Sequence, residues 1–138
     1  MMKTFGILQV VASSLEAQRQ RMNTIVSNMA NINTTRTEGG GPYRRKDVLF
    51  EVIEIEAGNE ILEGVQVREV VEDNSPFKIV YDPGHPDADE RGFVQLPNVN
   101  ALEEMVNMML AFRAYEASIT AFNITKTMFM KLLELGKT

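Results

Sequence analysis

The residues best placed to do chemistry lie in the stretch Tyr81-Asp82-Pro83-Gly84-His85-Pro86-Asp87-Ala88-Asp89-Glu90. It holds the only histidine of the chain and four acids. Histidine and carboxylates are metal ligands and acid–base groups, so a metal site or a hydrolytic centre built on His85 is one reading. Two prolines and a glycine make the same stretch a stiff turn. Its acids lack the regular spacing of an oxygen-rich calcium loop. A turn or subunit contact, with Tyr81, Asp82 and His85 at its surface, is therefore the expectation. A second cluster, Arg44-Arg45-Lys46, could bind acidic partners. No aromatic platform accompanies it, which argues against nucleic acid. A solvated strand edge and a salt-bridging contact to an acidic neighbour both remain open.

A third group is amide-rich. Ser27-Asn28-Met29-Ala30-Asn31-Ile32-Asn33-Thr34-Thr35 places polar side chains beside a clean apolar pattern. Such side chains compete with the backbone for hydrogen bonds and favour helix ends. They either cap a fraying helix or tie it to another chain, since an amide both donates and accepts. On the later apolar segment, Arg113 and Glu116 stand three apart and suit an intrahelical ion pair.

The elements that carry these groups follow from periodicity. Leu8, Val11, Leu15, Gln18, Met22, Ile25, Met29 and Ile32 alternate steps of three and four, the seam of a coiled coil. Ala101, Met105, Met108, Phe112, Tyr115, Ile119, Phe122, Lys126, Phe129 and Leu133 repeat the pattern. Only Gln18 and Lys126 are polar. Asn100 with Glu103 three residues later predicts the start of the second helix, and Gly136 its end. Between the helices, Gly39-Gly40-Gly41-Pro42 stops helical structure. Alternating or β-branched runs at 48–53, 65–71, 77–81 and 93–96 predict strands.

The expected fold is α+β: long terminal helices paired as an antiparallel coiled coil, with a small β-rich middle unit. The divisions fall at 1–35, 36–98 and 99–138. The apolar run at Phe5–Ala12 reads as the first turns of a retained helix rather than a secretion signal. Both helices also carry apolar residues off the seam, among them Val10, Val26, Leu102, Val106, Met109, Leu110 and Met130. A second apolar face needs a second partner. A thin helix pair buries little surface per residue, so assembly with other chains is expected.

Composition bounds the rest. The chain has 138 residues, no cysteine and a net charge of −5. Disulfides and thiolate chemistry are excluded. Residues 34–100 carry seven bases and fourteen acids. A net-acidic middle disfavours sequence-independent nucleic-acid binding, which depends on neutralising phosphates. No nucleotide fingerprint, phosphate loop or Ser–His–Asp set appears.

The run from Ser27 to Thr35 resembles the N-terminal signature of the flagellar rod and hook family, roughly S/N-N-x-A-N-x-N-T. Arg113-Ala114-Tyr115-Glu116-Ala117 is similar to its C-terminal signature. Residues 40–46 and 81–88, with Pro97-Asn98-Val99-Asn100 and Glu103-Glu104-Met105-Val106, narrow the resemblance to a proximal-rod member. Ser118 departs from it, because members often carry Asn there. The resemblance implies a non-enzymatic structural subunit without cofactor or small-molecule substrate. It implies polymerisation through the terminal helices into the axial drive shaft of the basal body, spanning the periplasm and surrounding the export channel. Implied partners are copies of the chain, other rod proteins, the rod-to-membrane-ring adaptor and the flagellar type III export apparatus. Asn28, Asn31, Asn33, Arg113, Tyr115 and Glu116 are the implied motif contacts. A soluble coiled-coil adaptor or export chaperone is the alternative.

Overall fold

A computed structural model describes residues 2–136. Helix α1 spans Met2–Ala30 and helix α2 spans Ala101–Leu135. Between them lie four strands: β1 Lys46–Ala57, β2 Glu60–Glu72, β3 Lys78–Tyr81 and β4 Phe93–Leu96. None of the helices is long and apolar enough to cross a membrane.

The start of α2 follows the sequence signal. Asn100 has extended backbone angles, and its side chain accepts the Glu103 N–H at 3.1 Å. Glu103 and Glu104 occupy the first turn, where carboxylates oppose the positive end of the helix dipole. Gly136 caps the other end with its N–H on the Leu132 carbonyl at 3.0 Å. It does so in right-handed geometry, at φ −69, rather than the left-handed cap common for glycine.

Strands β1 and β2 form one long antiparallel hairpin, with partners running from Lys46↔Glu72 to Ala57↔Glu60. The sequence marked only its two apolar stretches. The glutamate-rich remainder, Glu54–Ala57 and Glu60–Gly64, continues the same ladder to a two-residue turn. Gly58, at φ 66, takes the first turn position, as the twist of a tight hairpin requires. A register shift at Leu49/Phe50 bends the arm. Strands β3 and β4 pair separately as a second two-stranded sheet.

Helix α1 packs on both hairpin strands and on α2, whereas α2 packs on α1 alone. Two contacts fix the helix pair as antiparallel. Ser14 and Ser118 share a hydrogen bond at 3.0 Å, and Asn28 reaches Glu104 at 3.4 Å. The hairpin approaches α1 through small residues. A Cβ added at Gly6 would lie 2.6 Å from the Ala57 Cβ, and one at Gly64 would lie 2.8 Å from the Ser13 hydroxyl. That hydroxyl accepts the Val65 N–H at 3.1 Å and donates to the Val10 carbonyl at 2.6 Å. An edge N–H of the hairpin is thereby satisfied from the helix.

The buried apolar residues are few and mostly small: Ala17, Ile25, Tyr43, Val48, Ala57, Val94, Val99 and Ala111. Close approach, not bulky interdigitation, holds α1 to the hairpin. Helix propensity alone would make Gly6→Ala stabilising by about 1 kcal/mol. Here the clash with Ala57 decides the sign. We expect Gly6→Ala to destabilise by about 1–3 kcal/mol, read by thermal melting. Adding Ala57→Gly to the same protein recovers part of the loss.

Candidate assembly interface

Asn28 sits on the last turns of α1 and is fully buried. Its carboxamide treats Lys46 as a neighbouring strand would. Nδ2 donates to the Lys46 carbonyl at 2.8 Å, and Oδ1 accepts the Lys46 N–H at 2.9 Å. Oδ1 also accepts the Tyr43 hydroxyl at 2.8 Å, and Nδ2 reaches Glu104 Oε2 at 3.4 Å. Both amide hydrogens and both lone-pair positions are used. Asn28 therefore has no capacity left for a neighbouring chain. Within the chain it is an internal tie between α1, the start of β1 and α2.

Glu104 completes this node from the α2 side. Its side chain is fully buried and accepts Arg45 Nε at 2.5 Å. Arg45 also meets Asp47 and Asp73, each at 3.4 Å. Burial disfavours the Arg45 charge, but the bond and charge of Glu104 outweigh it and raise the guanidinium pKa above its ordinary value. Asn98 braces the same corner. It accepts the Arg45 N–H at 2.7 Å and donates to the Asp73 and Ser75 carbonyls, both at 3.0 Å.

Within the chain, Arg44 and Arg45 of the basic cluster make internal contacts. Arg44 donates to the Asp73 and Ser75 carbonyls and lies 4.2 Å over the Phe77 ring. Lys46 lies 5.7 Å from the Tyr43 ring.

The rest of the amide run closes the exit from α1. Asn31 donates to the Ser27 carbonyl at 2.8 Å and accepts Thr34 Oγ1 at 3.1 Å. Asn33 is exposed beside the start of α2. Thr35 donates to Asp87 at 2.6 Å, and Arg36 pairs with the same carboxylate. This fastens the 81–90 turn to the end of the helix. His85 belongs to that turn. Its N–H donates to the Asp82 carbonyl at 3.1 Å, and its Nδ1 accepts the Asp87 N–H at 3.0 Å. Tyr81 stacks edge-on against Phe93 at 5.3 Å and is largely exposed. Among the described residues, no three His, Cys, Asp or Glu side chains are arranged to hold a metal ion.

The helix-pair seam differs from the expected one on α2. The least exposed positions there include Glu104, Met108, Ala111, Tyr115, Ser118, Phe122, Thr125 and Phe129, in steps of four and three. Met108, Tyr115, Phe122 and Phe129 belong to both patterns. Met105, Phe112 and Ile119 are instead exposed. Each stands one residue C-terminal to the inward position, about 100° around the helix. The reason is the close approach of α1. Ala111, Ser118 and the paired Glu104 fit it, and a phenylalanine or methionine in their place would not.

On α1 the expected Leu8, Val11, Leu15, Gln18, Met22 and Met29 are half-buried and Ile25 is buried. Ile32 lies past the helix end. Gln18 Oε1 is buried with no hydrogen-bond partner among the described residues. Arg113 and Glu116 are both exposed, and no ion pair joins them among the described residues.

The consequence is an inverted helix. Large apolar side chains of α2, including Leu102, Met105, Val106, Met109, Leu110, Phe112, Ile124 and Met128, are exposed, while Glu104, Ala111, Ser118 and Thr125 share the inward side with Met108, Tyr115, Phe122 and Phe129. The cluster of exposed apolar residues from Leu102 to Phe112 marks an interaction site.

Glu104, Asn98, Asp73, Asp87, Ser14 and Ser118 were not singled out as site residues from sequence. Asp87 lay in the acidic turn, Asn98 and Glu104 in motifs already noted, and Ser118 at a departure from the family pattern; Asp73 and Ser14 carried no such signal. Asn28→Ala strands the polar groups of Lys46, and we expect a loss of about 3 kcal/mol in urea unfolding. Glu104→Ala leaves Arg45 buried with only its weaker partners, for a loss of about 3 kcal/mol. The double variant falls short of the sum, because the two share a network.

Acid should also loosen the corner. A hydroxyl and N–H from Ser75 hold the Asp73 carboxyl below its usual range, and Thr35 followed by Arg36 does the same for Asp87. Lowered carboxylate pKa values mean stabilisation that is complete above the ordinary value and lost as pH falls through the lowered one. Melting temperature is expected to drop below about pH 4, with a shallower drop in Asp87→Asn.

Known proteins place this arrangement. Residues 8–36 match a family model described as flagella basal body rod protein, and residues 90–135 match one for the C-terminal region of flagellar basal body rod FlgEFG proteins. The flagellar basal-body rod protein FlgC of Bacillus subtilis (strain 168) is 45% identical, covering 99% of this chain and 100% of its own length. FlgC of Aquifex aeolicus (strain VF5) is 44% identical with the same coverage, and FlgC of Borreliella burgdorferi is 42% identical over 97% of this chain and 98% of its own. With identity at that level from end to end, and most of α1 and all of α2 inside the matched regions, the chain belongs to the flagellar basal-body rod protein FlgC family.

Proposed function

We propose that the chain polymerises through the outward face of α2, together with α1, to form the proximal part of the rod. As a FlgC-family protein it is a structural subunit of the bacterial flagellar basal-body rod, and it assembles with other rod components. The observation that carries the finer reading is the inverted helix. Phe112, Met109 and Leu110 are exposed on a helix that touches only one other element of its own chain. Leaving that surface in water forfeits roughly 25 cal/mol for each Å2 it could bury. Neighbouring subunits are the cover that a rod supplies.

In this reading the terminal helices line the export channel, and the hairpin and β3–β4 lie outward. Contacts that do not close on themselves generate an open helical polymer. The node at Asn28 and Glu104 fixes the angle between helices and hairpin, so that torque applied to one is passed to the other. The adaptor between rod and membrane ring, and the type III export apparatus, are the further partners, and the rod spans the periplasm. No catalytic role is assigned. A soluble coiled-coil adaptor would leave the same helix exposed, but its chain would be recovered in the cytosol.

Phe112→Asp places a charge on the outer face and leaves the helix pair untouched. We expect unchanged thermal melting and loss of motility, with the chain absent from detergent-resistant basal bodies. Ile25→Asp, by contrast, buries a charge inside the chain and should abolish folding itself. Normal motility with Phe112→Asp would overturn the assignment of this face.

A further inference from the structure

The outer face of α2 is rich in one chemically distinctive group. Met105, Met109, Met128 and Met130 are 52, 58, 59 and 54% exposed. Met22, Met29 and Met108 are half-buried. Among methionines whose side chains the structure describes, every strongly exposed one lies on α2. Met105 and Met109 are one turn apart on the same side of the helix.

We propose that these four thioethers, in two groups along α2, are oxidation-sensitive positions, and that a hydroperoxide acting on the unassembled subunit blocks its incorporation without unfolding it. The inference rests on the reading that this face is buried between subunits. The sulfur lone pair attacks one peroxide oxygen and the O–O bond breaks. A sulfoxide forms, the proton of the attacked oxygen passes to the departing one, and that oxygen leaves as water from hydrogen peroxide or as an alcohol from an alkyl hydroperoxide. The sulfur loses two electrons and the peroxide gains them.

The effect differs between the two states of the chain. In the free subunit a sulfoxide on the outer face stays hydrated, and the α1–α2 contact is unaltered. In the polymer the same oxygen is a strong acceptor placed in an apolar seam, where burial without a donor is unfavourable. Methionine packs as leucine does and lacks only its resistance to oxidation, so replacement by leucine preserves volume. Exposure sets the order of reaction, with the four outer residues ahead of Met22, Met29 and Met108.

The test uses the purified full chain and hydrogen peroxide. Peptide mass spectrometry reads the sites, circular dichroism the fold, and analytical ultracentrifugation the self-association. Oxidation should appear first at the four outer methionines, with melting unchanged and at least tenfold more protein needed for association. The variant M105L/M109L/M128L/M130L should associate equally before and after peroxide. Methionine sulfoxide reductase should restore association of the treated wild type, a check independent of how the variant folds. Unchanged association of the oxidised wild type, or no recovery after reduction, would overturn the inference. Absence of association before any peroxide would instead overturn the assembly reading on which it rests.

Discussion

One carboxamide holds three elements together. Asn28 sits at the end of a helix, yet its bonds to the N–H and carbonyl of Lys46 are those of a strand. The hairpin thereby begins at a fixed height on α1, and the Tyr43 hydroxyl locks the approach from the other side. Glu104 brings α2 to the same point and is itself balanced by Arg45. A buried carboxylate and a buried guanidinium are tolerated only because each is paired and the remaining polar groups are satisfied. Remove the amide and the helix pair, the hairpin and the braced corner at Asn98 lose their common reference.

That anchoring frees the rest of α2 from packing duties. Only Glu104 and Ala111 are fully buried along its 35 residues. The helix can therefore present large apolar side chains outward while Ala111 and Ser118 let α1 come close. In an isolated domain this distribution would be a liability. In a subunit whose surroundings are supplied by neighbours it is the useful one, and in the proposed assembly the polar node would set geometry while the apolar face supplies adhesion. The exposed acidic arm of the hairpin, with Glu54, Glu56 and Glu63, keeps the other side of the molecule soluble.

Local signals were legible in the sequence wherever local physics decides. The Asn100 cap and both long helices follow from neighbours within a few residues. The inward phase of α2 was not legible, because two heptad stripes coexist there. They share Met108, Tyr115, Phe122 and Phe129 and differ by one residue at the alternate positions. The more apolar stripe reads as the core by hydrophobicity, but the distance between backbones selects the smaller one. Asn28 carried a motif whose polarity demanded a reason, and the reason lay 18 residues away at Lys46 and 76 away at Glu104. No periodicity encodes such a pairing. The strands were also cut short at Ile53 and Val65, because the glutamate-rich residues between them lack an apolar alternation until the register of the whole ladder is seen.

The orientation of α2 is the claim most open to direct measurement. Carbene footprinting of the dilute chain and of isolated rods would report the accessibility of Leu110, Phe112 and Met109 residue by residue. Heavy labelling in the free chain that disappears in the rod is the expected result. Equal protection in both states would mean that the chain covers this face by itself, and would contradict the inverted helix.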